Sequence, residues 1–350
     1  MTTGRMAALA AFLALFLTYS IPAKQSDSGL AKTRTFEFTY EFKVDPAPDG
    51  LVRVWFPIPP SDSNQQVQLK HISSSLMLKK TQESEYGNAM YYQKMTRPKD
   101  PLTFTLDYQV TRKEYTQGGL QDLMAYNRDF DPAPESLGRF LAPDKLVPIN
   151  DKFRQMAREI TQGKAGDVEK AYAIYEYVFH NLRYDKTGTG WGRGDAMWAC
   201  DSKRGNCTDF HSLFIALMHA EKIPARFEIG FPLPEGKSEA DIPGYHCWAE
   251  FYLDGRGWVP VDISEAWKNP AKRDFFFGSL DANRVQFSIG RDLALNPPQD
   301  GAALNYFVYP YVELDGKPDE HVAAHFTFRD LPAAEAGAEP GRSRAELASR

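Results

Sequence analysis

A cysteine lies where a predicted helix begins, in the segment GNCTD at 205–209. Apolar residues at helical spacing predict a helix from about Cys207 to Glu221. The free N–H groups and the dipole at a helix N-terminus stabilise an anion, so a thiol there loses its proton more readily. Gly205 allows a tight turn into the helix, and Asn206 is a residue type that caps helices. Cys207 is therefore a candidate nucleophile, although most buried cysteines are small apolar core residues.

A histidine and an aspartate follow on two predicted strands that are joined by a short turn. His246 lies near the start of the first strand, 245–253, and Asp262 lies near the end of the second, 258–262. Adjacent strands are about 4.8 Å apart, so a hydrogen bond between the two side chains is within reach. Such a pair is the orienting half of a Cys–His–Asp triad, provided that the helix of Cys207 packs across this hairpin.

These motifs and their order resemble the transglutaminase-like superfamily. The matching segments are GNCTDF at 205–210, IPAR at 223–226, HCWAE at 246–250 and GWVPVD at 257–262. The resemblance covers about 160–265 well and extends more loosely to about 330. It implies a papain-like core with Cys207 as nucleophile, His246 as base and Asp262 as the orienting group. The superfamily includes acyl transferases that crosslink Gln to Lys, proteases, deamidating and deglycosylating enzymes, and members that have lost the nucleophile.

Other residues offer alternatives for the base and for the orienting group. His211 lies one helical turn after the nucleophile and is a second candidate base, although it has no evident orienting partner. Asp209 falls in the first helical turn, where acids interact favourably with the dipole, and is interpreted as a structural cap. If Asp262 is only a turn or surface acid, Glu250 and Asp254 are the next candidates for the orienting group.

The cysteines and histidines also allow a metal site or a disulfide. A zinc site made from Cys200, Cys207, His211, His246 or Cys247 matches no compact ligand spacing, so no metal and no cofactor are expected. Adjacent strand residues point to opposite faces, so Cys247 is expected to point away from the active site. Cys200 and Cys247 could form a disulfide in an oxidising compartment and leave Cys207 free, or both could be buried free thiols.

An acyl-transfer site needs hydrogen-bond donors for the oxyanion that forms on the attacked carbonyl. The backbone N–H of Cys207 is the natural first donor. Tyr184, Trp191 and Trp198 lie in the segment that leads to the nucleophile and are candidates for the second. Each of these aromatic side chains could equally be a core residue.

Elements that would position these residues are predicted along the whole chain. Residues 1–23 carry a positive charge and then an apolar run, and predict a secretory signal peptide. No stable membrane insertion is expected once this signal is removed, and the alternative is an uncleaved N-terminal anchor. Alternating aromatic residues begin a β-sandwich over 33–115. Residues 116–330 form the predicted transglutaminase-like catalytic domain, and 331–350 form a disordered tail. The predicted fold class is α+β, with the β-sandwich preceding a papain-like core, as in many bacterial exported relatives.

Composition excludes several classes of protein. The 350 residues are 43% apolar and 25% charged, with a net charge of −5. These values exclude a largely disordered or multi-span membrane chain and disfavour a nucleic-acid partner. We expect an exported enzyme, periplasmic or extracellular, that performs thiol-dependent acyl transfer or hydrolysis on protein or peptide amide bonds. The alternative is a non-catalytic protein-binding module on the same scaffold.

Overall fold

Strands outnumber helices in the part of the chain that the structure, a computed structural model, describes: residues 32–332 without 46, 48–49, 75–76, 128–134 and 320–321. The predicted α+β class is confirmed. The predicted signal peptide and residues 333–350 of the predicted tail lie outside the described residues. Within these ranges no helix has both the length and the apolar character that crossing a membrane requires.

The elements alternate irregularly along the chain. The strands are β1 (Thr33–Val44), β2 (Leu51–Pro57), β3 (Gln65–Ser74), β4 (Lys79–Gln82), β5 (Ala89–Thr96), β6 (Leu102–Lys113), β7 (Tyr115–Thr116), β8 (Arg183–Tyr184), β9 (Arg204–Gly205), β10 (Ala225–Pro232), β11 (Glu239–Asp241), β12 (His246–Leu253), β13 (Gly257–Val261), β14 (Ser279–Leu280), β15 (Arg284–Ile289), β16 (Tyr311–Leu314), β17 (Lys317–Pro318) and β18 (Ala323–Asp330). The helices are α1 (Leu120–Ala125), α2 (Asp151–Ile160), α3 (Asp167–Asn181), α4 (Ala196–Ser202), α5 (Cys207–Ala220) and α6 (Ile263–Lys268).

Two five-stranded sheets contain the predicted N-terminal strands. Their strand orders are β11-β18-β1-β6-β3 and β17-β16-β2-β5-β4. The alternating aromatic residues of β1 are all buried, because one face of the strand carries them and that face is covered. The ring of Phe42 lies 4.9 Å from that of Phe56 on β2, so the two sheets meet through aromatic contacts.

The sheets are not confined to 33–115, where the sandwich was predicted. β18 pairs with β1 along eight residues and β16 pairs with β2, so strands from 311–330 complete both sheets. The C-terminal strands supply backbone partners that β1 and β2 would otherwise lack on one side. Phe38 of β1 also contacts Phe231 and Phe287, which lie on strands of another sheet. All described residues accordingly fall into one compact unit, without a boundary near 115.

A four-stranded sheet, β13-β12-β10-β15, positions the candidate site, and helix α5 packs on it. Residues 207–219 of α5 are all buried, because α2, α3, α4 and α6 surround the faces that the sheet leaves open. The helix predicted from about Cys207 to Glu221 corresponds closely to α5, and apolar residues at helical spacing over 168–182 also predict α3. The sequence pattern does not predict α2 or α4, and the aperiodic, glycine-rich segment 187–199 favours a loop where α4 begins. Asp195 caps α4 by accepting from the N–H groups of Met197 and Trp198.

Candidate active site

The start of α5 is shaped by a capping box that holds Cys207 at the first helical position. The side chain of Asn206 accepts from the N–H of Thr208 at 3.0 Å, and Asp209 Oδ2 accepts from the N–H of Asn206 at 2.9 Å. Gly205 has φ +154°, and a Cβ there would lie 2.4 Å from Cβ of Asp209. A glycine is therefore required for the turn that brings the chain into the helix.

Asp209 does more than cap the helix. Its carboxylate also accepts from the N–H groups of Gly192, at 2.7 Å, and Gly194, at 3.0 Å. Burial raises the pKa of Asp209 to about 6, although these backbone N–H groups oppose the shift. The glycine-rich segment that precedes α4 is thereby tied to the N-terminus of α5, beside the candidate nucleophile.

His246 and Asp262 are hydrogen-bonded to each other. The two strands pair from Leu253 and Gly257 back to Ala249 and Val261. In that register Asp262 follows the last pair, and His246 is its diagonal neighbour on the same face. His246 Nε2 lies 2.7 Å from Asp262 Oδ2, which leaves Nδ1 for the thiol of Cys207. The structure thus brings together the three residues that the sequence singled out.

Charges in the site favour a thiolate paired with a protonated imidazole. Burial alone would raise the pKa of Cys207, but hydrogen bonds from Cys247 and His246 and the charge of His246 hold it well below its ordinary value. Burial would lower the pKa of His246, but the charge and hydrogen bond of Asp262, together with Cys207, raise it to about 10. Cys207 is consequently poised as a nucleophile at neutral pH.

Asp262 uses its two carboxylate oxygens for different tasks. Oδ1 accepts from the hydroxyl of Ser264 at 3.1 Å and from the N–H of Glu265 at 3.0 Å, and so caps helix α6. Oδ2 accepts from His246 and from Nη1 of Arg284, at 2.8 Å. Burial would raise the pKa of Asp262, but the charge and hydrogen bond of His246 and the charge of Arg284 keep it well below its usual range. The sequence reasoning missed Arg284, which lies in no recognisable motif.

His211, the alternative base, is held by backbone groups. Nδ1 lies 2.8 Å from the carbonyl oxygen of Cys207, and Nε2 accepts from the N–H of Ile263 at 3.1 Å. Burial lowers the pKa of His211 to about 4, so the ring is neutral at neutral pH. Both nitrogens are therefore occupied, and His211 connects α5 to the start of α6.

The placement of Cys247 corrects one expectation. Its Sγ lies 3.8 Å from Nδ1 of His211, and its thiol donates to Cys207. Alternation does put His246 and Cys247 on opposite faces of β12, but α5 packs against the face to which Cys247 points. Burial, together with the neighbouring thiolate of Cys207, raises the pKa of Cys247 well above its ordinary value.

All three cysteines are buried free thiols, so the alternative disulfide is not formed. Cys200 contacts Met156 through sulfur, at 3.5 Å. Among the described residues, no cluster of three His, Cys, Asp or Glu side chains is arranged to hold a metal ion.

The three oxyanion candidates lie in different surroundings. Burial and the charge of Cys207 raise the pKa of Tyr184, and the ammonium of Lys268 lies 4.3 Å from the centre of its ring. Trp191 donates its Nε1–H to the carbonyl of Gly188, within its own loop. Trp198 lies beside Arg204, whose guanidinium carbon is 5.8 Å from the ring centre. Of the three, Tyr184 has the clearest link to the nucleophile.

Glu250 and Asp254, the alternatives to Asp262, lie in other environments. Glu250 Oε2 accepts from Nε of Arg226 at 2.7 Å. The backbone carbonyl of Asp254 accepts from the hydroxyl of Tyr126, and the residue lies in the turn between β12 and β13. Asp262, by contrast, is hydrogen-bonded to His246 at 2.7 Å.

Comparisons with known proteins relate part of the chain to a known superfamily. Residues 154–263 match the sequence profile of the Transglutaminase-like superfamily. An uncharacterised protein of Haemophilus influenzae is 27% identical over 335 residues, which cover 85% of this chain and 89% of that protein. The uncharacterised protein YebA of Bacillus subtilis is 26% identical over 144 residues, which cover 37% of this chain and 19% of YebA.

One solved structure shares the fold over most of the chain. It is a candidate cysteine protease of Cytophaga hutchinsonii, with a TM-score of 0.58 and 17% sequence identity. The match covers 87% of this chain and 94% of that one. At this level of identity the similarity establishes a shared fold.

Proposed function

Since residues 154–263 form a transglutaminase-like domain, we propose that the protein is an enzyme of amide acyl transfer, which attacks protein or peptide substrates through Cys207. The observation that carries the proposal is the buried arrangement of Cys207, His246 and Asp262, in which the His246–Asp262 hydrogen bond is 2.7 Å long. A thiol, a histidine and a carboxylate buried together in this order provide a nucleophile, a proton donor and an orienting group. A protein-binding module requires none of these features.

Acylation begins from the thiolate–imidazolium pair. The sulfur of Cys207 attacks the amide carbonyl, and the resulting oxyanion accepts from the backbone N–H of Cys207. Tyr184 is proposed as the second donor. The intermediate collapses as the C–N bond breaks, and Nδ1–H of His246 protonates the departing amine. The products are a thioester on Cys207, a free amine and a neutral His246.

Deacylation returns the proton to His246. Neutral His246 removes a proton from the second nucleophile, either water or an amine such as a lysine side chain. That nucleophile attacks the thioester carbonyl, and the sulfur leaves as the thiolate beside a protonated His246. Water gives a carboxylic acid and an amine gives a new amide, so the degree to which the bound substrate excludes water sets the outcome.

Reactivity of Cys207 toward iodoacetamide tests the nucleophile without a known substrate. At pH 6 we expect Cys207 to be alkylated faster than Cys200 and Cys247 of the same molecule, as measured by peptide mass spectrometry. The His246→Gln variant removes the imidazolium and should slow alkylation of Cys207 specifically. Since Cys207 is only 2% exposed, the comparison between variants separates activation from access. Equal rates in both proteins would contradict the proposed activation.

A peptide library, digested with and without an added primary amine, then tests the reaction. Hydrolysis predicts carboxylic acid products in both digests, whereas transamidation predicts amine incorporation in the second. A Cys207→Ala protein treated in the same way provides the blank. Products that this blank also forms would argue against the proposal.

We also propose that the protein is exported, on the basis of the charged and apolar segment at 1–23. The mature chain is expected to begin near Lys24 and to lie in the periplasm or outside the cell. Intact-protein mass spectrometry of the purified native protein measures this directly. A soluble cytosolic species that retains Met1 would reject the proposal.

A further inference from the structure

Arg284, the first residue of β15, is a buried cation beside the candidate triad. Its side chain is 2% exposed, and its Nη1 donates to Oδ2 of Asp262 at 2.8 Å. Nη2 donates to Asp281 at 3.3 Å, and the guanidinium carbon lies 4.9 Å from the ring centre of Trp248. These contacts fix the guanidinium on one side of the Asp262 carboxylate.

The oxygen that Arg284 contacts is the one that orients the imidazole. Oδ2 of Asp262 accepts from His246 at 2.7 Å and from Arg284 at 2.8 Å, while Oδ1 is occupied by the cap of α6. An arginine remains charged at every pH at which the protein is folded. Its charge therefore stabilises the ionised form of Asp262, which is the form that supports a protonated His246.

Other titratable groups surround the same residues. His211 and Tyr175 face Asp262, and Glu265 and Lys268 lie on the outer side of the pair. The groups around Cys207 are Asp209, Cys247, Tyr184, Tyr245, Tyr306 and Tyr309. Asp281 and Arg112 face Arg284 itself. Among these groups, Arg284 shares the carboxylate oxygen of Asp262 with His246, which gives it a direct influence on the imidazole.

We propose that Arg284 is a positioning residue, which holds Asp262 ionised and aligned with His246 and so sets the pH range of the Cys207–His246 ion pair. The inference rests on the proposed thiol chemistry. Without Arg284, Asp262 keeps the helix cap through Oδ1 but loses the cation that fixes and stabilises Oδ2. The ion pair should then require a higher pH to form.

The test compares two arginine variants that differ in their contact with the triad. Arg284→Met removes the guanidinium at roughly constant volume. Arg226→Met is the matched control, because Arg226 is also largely buried, is paired with Glu250 and lies 4.2 Å from the ring centre of Trp258. The measurements are the rate of alkylation of Cys207 by iodoacetamide between pH 4 and pH 10, the thermal midpoint and kcat/KM on a peptide substrate.

In Arg284→Met the fall in the alkylation rate at low pH (the low-pH limb of the profile) should move upward by about one pH unit, because a carboxylate without its contacting cation is less fully ionised and supports the imidazolium of His246 less. At neutral pH, kcat/KM should fall on the order of tenfold, because His246 is held less well in the orientation that protonates the departing amine. Arg226→Met should lower the thermal midpoint to a similar extent but leave the limb in place. Arg284→Lys, which retains a charge, should recover much of the wild-type profile.

The outcomes separate this inference from the proposed function. If the alkylation rate of wild-type Cys207 falls near pH 8.5, the pKa of a free thiol, both the proposed function and the role of Arg284 are overturned, since Cys207 would then not be activated. The alkylation rate of wild-type Cys207 could instead fall only at low pH and fall at the same pH in Arg284→Met. That result would overturn only the role of Arg284, which would then be a structural contact. If Arg284→Met does not fold, Arg284→Gln decides, because its amide can still donate to Asp262 but carries no charge, so the low-pH fall in the alkylation rate should again move upward. A fall that stays at the wild-type pH in Arg284→Gln would then overturn the inference.

Discussion

Replacing Cys207 with alanine should abolish turnover and leave the fold unchanged. The thiolate supplies the electrons that form the thioester. The neighbouring thiol of Cys247 lies on β12, not at the helix N-terminus, and burial raises its pKa, so it should not replace Cys207. Loss of a nucleophile typically costs several powers of ten in kcat. Alanine is also a good helix former and is smaller than cysteine, so the buried start of α5 should tolerate it. The measurement is the rate on a peptide substrate, together with circular dichroism and the thermal midpoint.

Cys200→Ala provides the matched control for this variant. Cys200 is also buried and also lies at a helix, but its sulfur contacts Met156 and not the candidate triad. Its replacement should retain nearly full activity with a similar change in stability. If purified Cys207→Ala keeps a substantial part of the wild-type rate, Cys207 is not the nucleophile.

Asp262→Asn should lower the rate on the order of 10² or more, and by less than Cys207→Ala. The analogous change in a Ser–His–Asp triad costs about 10⁴, because the histidine takes the wrong tautomer. Here the amide would also place an N–H₂ group or a weaker acceptor against His246 and Arg284, both of which donate to Oδ2. The pH at which Cys207 is alkylated should rise, since the imidazolium that supports the thiolate is weakened.

Asp254→Asn, in the turn of the same hairpin, is the control for Asp262→Asn. It makes the same chemical change at the residue that was an alternative orienting group, and its rate should remain that of the wild type. The thermal midpoint of Asp262→Asn should also be lower than that of Asp254→Asn, because Asp262 caps α6 and balances the charge of buried Arg284. If Asp254→Asn lost activity while Asp262→Asn kept it, the assignment of the orienting group would be reversed.

The dependence of the rate on pH follows from the same charges. The pKa of His246 is raised to about 10, so the imidazole stays protonated until the pH approaches that value. Protonation of the departing amine requires that proton, and kcat/KM should therefore fall as the pH rises through about 10. The sequence alone could not predict this range, because it depends on burial and on the distances from His246 to Asp262 and Cys207.

Local patterns predicted much of the fold. The alternation of aromatic residues in β1 and the helical spacing in α5 were sufficient, because each reflects one continuous buried face. The pairing of β1 with β18 could not be predicted, since nothing local marks which distant strand completes an edge. The sequence pattern does not predict helix α4, because this helix is only seven residues long and follows a glycine-rich segment at 188–194.

The residues of the candidate site also differ in whether the local sequence predicts them. Cys207, His246 and Asp262 could be predicted because a helix cap and a hairpin turn fix their positions locally. The spacing of Asp262 and Glu265, three residues apart, is also typical of a helix N-terminus and agrees with the start of α6. Arg284 and Cys247 could not be predicted, since their roles depend on β15 lying beside β10 and on the face of β12 that α5 covers.

The pairing of β1 with β18 affects how the chain folds during synthesis. Phe36 is matched with Asp330, so the first sheet stays incomplete until β18 has been synthesised. Ribosomes release residues from the N-terminus onward, and contacts between distant segments form late and slowly. For the export that we propose, a chain that remains open during synthesis can still be threaded through a protein-conducting channel. The same arrangement means that a truncation before β18 should yield an aggregation-prone product, because the backbone edge of β1 would be unpaired.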